Sequence, residues 1–238
     1  ASALLEKHFG EKVETAPMTL EKYQSYNGGV QLLPYSTEEL EISAMSAHLF
    51  NEELNRSSLR NYLKLSLTDS LVDSDRRAIA LYGLSAFDEP VLSKLQKLKK
   101  DTSLTIKGKT YVALALSSFG AKEEASEYYK SAIEPSIERN GSYAYAKAPR
   151  QDQIILSTTL LAALAASVDL PDIAAFESYL SDRYPRETLN NFERLLYAKE
   201  ILPKLDDEDV SFSYEALDKK GSKSLKDGER FVITLSPE

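Results

Sequence analysis

The sequence has 238 residues, of which 42% are hydrophobic and 28% are charged. These proportions are typical of a globular protein with one large domain, or one domain and a small appendage, and exclude an intrinsically disordered chain. The net charge of −8 argues against nucleic-acid binding, which depends on a basic surface. Because the sequence contains no cysteine, disulfides, thiolate zinc sites and cysteine nucleophiles are excluded.

Helical periodicity dominates the middle of the chain. The less periodic first part contains a possible short helix at 2–9 and ends in the turn signal Asn27-Gly28-Gly29. Later helices are predicted where a capping residue or a proline precedes apolar residues at helical spacing. They cover 36–50, 55–65, 73–87, 90–100, 110–119, 123–133, 151–168, 171–180 and 187–202. The short connections predict antiparallel helical hairpins. The longest apolar stretch, 154–168, is too short to span a bilayer, so we expect no transmembrane segment.

A weak internal repeat supports the hairpin interpretation. The segments 84–87 and 116–119 both read Leu-Ser-small-Phe and end the first helix of a pair. Small residues recur in these first helices, which predicts that they are the inner, closely packed members: Ala78, Ala80, Gly83, Ala113, Ala115 and Ala162 to Ala166. Repeated hairpins form either an open solenoid or a closed toroid. We expect a closed or nearly closed α/α toroid, with charged outer helices such as 94–100 and 122–130.

The pattern changes to β after Pro203. Apolar residues alternate with polar ones at Val210, Phe212 and Tyr214, and again at 231–235. Gly221 and Asp227-Gly228 are turn signals between the two segments. The sequence therefore predicts a mainly α protein with a helical domain at 1–205 and a short β segment at 206–238. We expect the β segment to pack on the helices, because two or three strands alone are marginally stable.

Few residues are available for a catalytic or metal site. His8 and His48 are the only histidines, which is too few for a multi-histidine metal site, and we expect a structural or solvated role for His48. Asp69, Asp73 and Asp75 lie around a predicted helix start, where acids complement the helix dipole, so we interpret them as capping residues. No catalytic, metal-binding or cofactor-binding residue is predicted, and the chain is expected not to be an enzyme.

Three further patterns have structural explanations. The lysines between Lys94 and Lys109 are interpreted as the solvated face and exit of a helix. The segment 218–229 resembles a calcium loop in its first Asp, its glycine and its last Glu, but lysine and misplaced glycine favour a hairpin loop. Gly28-Gly29 lacks the strand, helix and Lys-Ser/Thr of a phosphate loop, so it is interpreted as a backbone turn. Tyr23, Tyr26 and Tyr35 flank this turn, and exposed tyrosines can mark an interface, although packing against amphipathic helices is the default interpretation.

The order of these signals resembles the thioester domain of bacterial alpha-2-macroglobulin-like proteins. The passage Asn27-Gly28-Gly29-Val30, Leu33-Pro34, an acidic pair and Ile42-Ser43-Ala44 is similar to the opening of that domain. The hairpins at 78–87 and 111–119 resemble its middle, and 150–166 resembles its late helix. The segment 186–192 is similar to the start of its last helix, and 221–235 to the macroglobulin-type β domain that follows. The resemblance covers nearly the whole chain and rests on the order of degenerate motifs.

The resemblance implies an α/α toroid from a large exported bacterial protein of the periplasm or cell surface. The family carries an internal Cys–Gln thioester for covalent capture of proteases, but no Cys-x-Glu-Gln occurs in this sequence. The thioester therefore lies upstream of Ala1 in a longer parent or is absent. We expect a non-enzymatic interaction module for protease trapping or envelope defence, whose partners are other domains of the parent protein and proteases.

Two alternatives remain open. A tetratricopeptide-like protein-binding scaffold fits 123–133 as the second helix of a repeat. The second alternative is a toroid enzyme such as a glycosidase or cyclase. A solenoid would separate the first and last helices, whereas a toroid would bring them together.

Overall fold

Helices form most of the chain that the computed structural model describes, which is residues 19–50, 52–68, 73–183, 191–204, 210–216 and 219–225. The described residues fall into a helical unit that ends at Ile201 and a second unit that contains a C-terminal hairpin. The predicted fold class, mainly helical with a short C-terminal β segment, is confirmed. The predicted helix at 2–9 and the predicted boundary between 205 and 206 lie outside the described residues.

Nine α-helices lie in the described ranges. They are α1 (Leu40–Leu49), α2 (Arg56–Ser66), α3 (Ser74–Ser85), α4 (Leu92–Leu98), α5 (Ile106–Ser118), α6 (Lys122–Tyr128), α7 (Gln151–Ser167), α8 (Ile173–Arg183) and α9 (Asn191–Ile201). A π-helical turn, Tyr129–Ile133, continues α6, and short 3-10 turns occupy Leu20–Tyr23, Glu134–Ser136 and Leu202–Lys204. Each predicted helix from 36 to 202 therefore corresponds to an observed one, with shifted ends.

Side-chain capping sets several of the helix starts. The Asn55 carboxamide oxygen accepts a hydrogen bond from the Ser58 amide at 3.0 Å, and the Asp73 carboxylate accepts one from the Arg76 amide at 2.8 Å. The capping role predicted for Asp73 is thus confirmed, whereas Asp69 lies outside the described residues. Asp75 instead accepts a hydrogen bond from the Thr105 amide at 2.9 Å, at the start of α5.

Two predicted helix starts are wrong. The segment Ser36 to Glu39 precedes α1 as an extended loop, in which Gln31 and Glu38 form a β-bridge, so the helix begins only at Leu40. In contrast, α5 begins at Ile106, four residues before the predicted start at Thr110. Its N-cap is Thr105, whose hydroxyl oxygen accepts a hydrogen bond from the Gly108 amide at 3.4 Å.

The odd-numbered helices contact one another in a closed cycle. Helix α1 packs on α3, α3 on α5, α5 on α7, α7 on α9, and α9 returns to α1. The even-numbered helices lie beside this cycle, with α2 on α1 and α3, α4 on α3 and α5, α6 on α5, and α8 on α7.

The small residues lie where the helices approach most closely, as predicted. The alanines of α3, α5 and α7 named above are completely buried. A Cβ atom on Gly83 would lie 2.9 Å from the Ala44 Cα atom, so glycine is what allows α3 to approach α1 so closely. On the charged side of α4, Lys94, Lys97 and Lys100 are exposed, in agreement with the predicted solvated face. The prediction is wrong for Lys107 and Lys109, which lie on α5 and are half-buried.

A hairpin that the sequence interpretation missed precedes α7. Strands β1 (Ile137–Asn140) and β2 (Tyr143–Ala146) pair antiparallel through the two-residue connection Gly141-Ser142. Gly141 has a φ of +59°, which glycine adopts readily at the first central position of a hairpin turn. The signal was available in Asn140-Gly141, followed by the alternating Tyr-Ala-Tyr-Ala of β2.

The C-terminal hairpin joins β3 (Val210–Ala216) to β4 (Lys219–Leu225). Gly221 lies inside β4 opposite Tyr214, so its prediction as a turn residue, and that of 218–229 as a hairpin loop, are wrong. A Cβ atom on Gly221 would meet the Tyr214 hydroxyl at 2.8 Å, which explains glycine within a strand. The predicted apolar alternation at 231–235 lies outside the described residues.

Candidate functional site

His48, near the end of α1, is held in one protonation state by its neighbours. Its Nε2 atom lies 2.8 Å from the Tyr82 carbonyl oxygen, and its ring stacks on the Tyr82 ring with centroids 3.9 Å apart. Burial lowers the pKa of His48 to about 4, so the ring is neutral at physiological pH. A neutral ring that hydrogen-bonds a carbonyl through Nε2 carries its proton on that atom.

Ser85 lies beside this histidine, but the two do not form a nucleophile–base pair. The Ser85 hydroxyl is 3.4 Å from His48 Nε2 and donates a 2.6 Å hydrogen bond to the same Tyr82 carbonyl. Because Nε2 already carries a proton, it cannot accept one from Ser85, which activation of a serine requires. The structural role predicted for His48 is therefore supported by its contacts, whereas His8 lies outside the described residues.

Two glutamates from distant parts of the chain interact electrostatically in the helical unit. Glu41 on α1 accepts hydrogen bonds from the Tyr111 hydroxyl at 2.8 Å and from Lys107 Nζ at 3.0 Å, both on α5. Glu193 on α9 is only 7% exposed. Burial raises the pKa of Glu193 to about 7, its own backbone amide opposes that rise, and the charge of Glu41 adds to it.

Glu193 is buried, and the Glu41 carboxylate already accepts hydrogen bonds from a lysine and a tyrosine. The sequence interpretation missed this interaction because no spacing relates residues that only folding brings together. In the part of the chain that the structure describes, no three His, Cys, Asp or Glu residues are grouped to hold a metal ion.

The most exposed apolar surface of the described residues is the loop before α1. Six large hydrophobic side chains are exposed within the described ranges, and four of them lie between residues 26 and 35. Tyr26 is 99% exposed and Tyr35 is 83% exposed, with Leu32 and Leu33 between them. The other two, Leu65 and Leu92, are isolated on outer helices. We call residues 26–35 the apolar loop.

Hydrogen bonds hold the apolar loop against the helices. Gln24, two residues before the loop, donates from its side chain to the Gly28 carbonyl at 3.0 Å and to the Asn55 carbonyl at 3.1 Å. Its side-chain oxygen accepts from the Asn55 amide at 2.8 Å, so Gln24 links the loop to the start of α2. The Val30 amide donates to the Ser43 hydroxyl at 2.7 Å, which ties it to α1. The loop is thus fixed at both of the helices that it crosses.

Glycine is required at both positions of the pair in this loop, because neighbouring atoms leave no room for a Cβ atom. Gly28 has a φ of +96°, and a Cβ atom there would lie 2.1 Å from the Ser58 carbonyl oxygen. A Cβ atom on Gly29 would lie 2.7 Å from the side chains of Glu38 and Tyr62. The interpretation of this pair as a backbone turn is confirmed. The turn lies directly against α2, at Ser58.

A small apolar pocket opens beside the loop. It has a volume of about 250 Å³ and is lined by Leu20, Tyr23, Val30, Gln31, Leu32, Ser46, Phe50, Leu54 and Phe192. Phe50 and Phe192 meet edge to face, with ring centroids 6.2 Å apart, and bring the ends of α1 and α9 to the pocket. The pocket and the loop adjoin, because Val30, Gln31 and Leu32 of the loop line the pocket.

Within the described ranges, no helix combines the length and the hydropathy needed to cross a membrane. No protein-family model matches the chain, and no curated protein sequence matches it significantly.

Proposed function

We propose that this chain is a non-catalytic protein-interaction module that docks a partner protein on the apolar loop and its pocket. The observation that carries this proposal is the concentration of exposed apolar side chains at residues 26–35, next to an apolar pocket. Exposed apolar patches on a folded protein mark interaction sites, whereas single exposed hydrophobic residues such as Leu65 and Leu92 are ordinary.

The composition and size of the site favour a protein as the ligand. Tyrosine supplies a large contact area with a polar tip and is enriched at protein interfaces. The pocket of about 250 Å³ is below the range of about 300–1,000 Å³ that small-molecule sites occupy. It suits one apolar anchor side chain of the partner, surrounded by contacts to Tyr26 and Tyr35. A loop already held by hydrogen bonds loses little entropy on binding.

On the basis of its resemblance to macroglobulin-like thioester domains, we propose that this module belongs to a larger exported bacterial protein. On this proposal, the helices form an α/α toroid, and the partner is another domain of the parent protein or a captured protease. The contact of α9 with α1 supports a toroid over an open tetratricopeptide-like scaffold, in which the first and last helices are far apart. Sequencing the encoding gene tests this placement, since a macroglobulin-like parent is several times longer.

The docking site is tested by selecting random peptides from a phage-displayed library on the immobilised protein. Selected peptides should share an apolar anchor residue, and the variant Tyr26→Ser/Tyr35→Ser should bind them about tenfold more weakly or worse. The control is Leu65→Ser/Leu92→Ser, which removes the two large exposed apolar side chains of the described residues that lie outside the loop.

Both variants change only exposed side chains and should unfold at the temperature of the parent chain. Equal loss of binding in the two variants, or selected peptides without an apolar anchor, would contradict the proposal.

A further inference from the structure

A cleft on the helical unit, separate from the apolar loop, has the features of a small-molecule site. Its volume is about 600 Å³, within the usual range for ligand pockets, and it lies at the starts of α5 and α7 and the turn before β1. Leu104, Ile106 and Leu156 supply apolar lining. The cleft therefore combines room for a small organic molecule with an apolar wall.

The charge lining this cleft is predominantly positive. Lys107, Lys109 and Lys147 line it, together with a single acid, Asp75. The Asp75 carboxylate already accepts hydrogen bonds from the amide and the hydroxyl of Thr105. Lys107 forms an ion pair with Glu41, with 3.0 Å between Nζ and Oε2. Lys109 and Lys147 form no ion pair with any residue that the structure describes. Two ammonium groups are thus available to an anion.

The Ser157 hydroxyl on α7 is accessible from the same cleft. Ser157 lines the cleft, and no hydrogen bond joins its hydroxyl to a described residue, although the residue as a whole is only 6% exposed. Its neighbours behave differently, since Thr158 donates to the Ile154 carbonyl at 2.6 Å and Thr159 to the Ile155 carbonyl at 2.9 Å. The Ser157 hydroxyl is therefore a donor available to a ligand in the cleft.

We propose that this cleft binds a small organic anion, a phosphate or carboxylate attached to an apolar body. Lys109 and Lys147 neutralise the anionic group, and the Ser157 hydroxyl donates a hydrogen bond to one of its oxygens. The apolar body packs on the leucine and isoleucine side chains of the wall. This site is independent of the apolar loop, so either proposal can fail without the other.

The test is a calorimetric titration of the protein with phenyl phosphate, with benzoate, and with phenol as the uncharged analogue. We expect phenyl phosphate or benzoate to bind, and the one with the higher affinity identifies the anionic group. The variant Lys109→Gln/Lys147→Gln should weaken binding about tenfold or more, and Ser157→Ala about threefold to tenfold. The control Lys94→Gln/Lys97→Gln removes the same charge from the exposed side of α4 and should bind normally.

Three results would overturn the proposal. They are no binding of either anion up to about 10 mM, phenol binding as tightly as the anions, and equal weakening by the two lysine variants. Tyr26→Ser/Tyr35→Ser should leave anion binding unchanged, which separates this site from the apolar loop. Circular dichroism of each variant confirms that a loss of binding is not a loss of fold.

Discussion

Replacing Glu193 with glutamine should stabilise the protein at alkaline pH and have little pH-independent benefit. Burial raises the pKa of this carboxyl from its ordinary 4.5 to about 7. The folded state therefore holds a proton that the unfolded state has lost between these two values, and stability falls as the pH rises through this window. The full loss is about 3 kcal/mol, of which about 2.5 kcal/mol falls between about pH 5 and pH 8.

The measurement is urea denaturation of the parent chain and of Glu193→Gln at several pH values. Glutamine mimics the protonated side chain at all pH values, so the difference in free energy of unfolding should grow by about 2.5 kcal/mol from about pH 5 to pH 8. Any packing cost of the amide is the same at each pH and cancels in this comparison. The control Glu123→Gln, at an exposed position of α6, should give a difference that stays within about 0.5 kcal/mol. A flat difference for Glu193→Gln would refute the reasoning.

Two further predictions concern packing and backbone conformation. Ala163→Leu on α7 should lower the free energy of unfolding by about 1–3 kcal/mol because that site is completely buried, whereas Lys97→Leu should change it by less than about 0.5 kcal/mol. Equal effects in denaturant titrations would contradict the inner and outer assignment. Gly28→Ala should destabilise more than Gly141→Ala, since both glycines have positive φ but only Gly28 lies against backbone, the Ser58 carbonyl. Thermal unfolding that ranks the two variants in the opposite order would disprove this explanation.

Part of the candidate site is predictable from the sequence. The glycine pair Gly28-Gly29 predicts the turn, but the spacing of the tyrosines beside it does not show which aromatic side chains are exposed. Tyr23 contributes to the pocket, while Tyr26 is fully exposed three residues later. The cleft was not predicted, because Lys109, Lys147 and Ser157 are far apart in the sequence. Only folding makes them part of the lining of the same cleft.

Local periodicity and capping residues are enough to predict the helical class, the order of the hairpins and the burial of the alanine-rich helices. Tertiary structure alone decided the features that depend on residues far apart in the chain. Examples are the contact of α9 with α1, the effect of the Glu41 charge on the pKa of Glu193, and the hydrogen bond from the Thr105 amide to Asp75. The physical reason is that capping and amphipathic spacing act within one or two turns, whereas burial and charge pairing are set by which helices become neighbours.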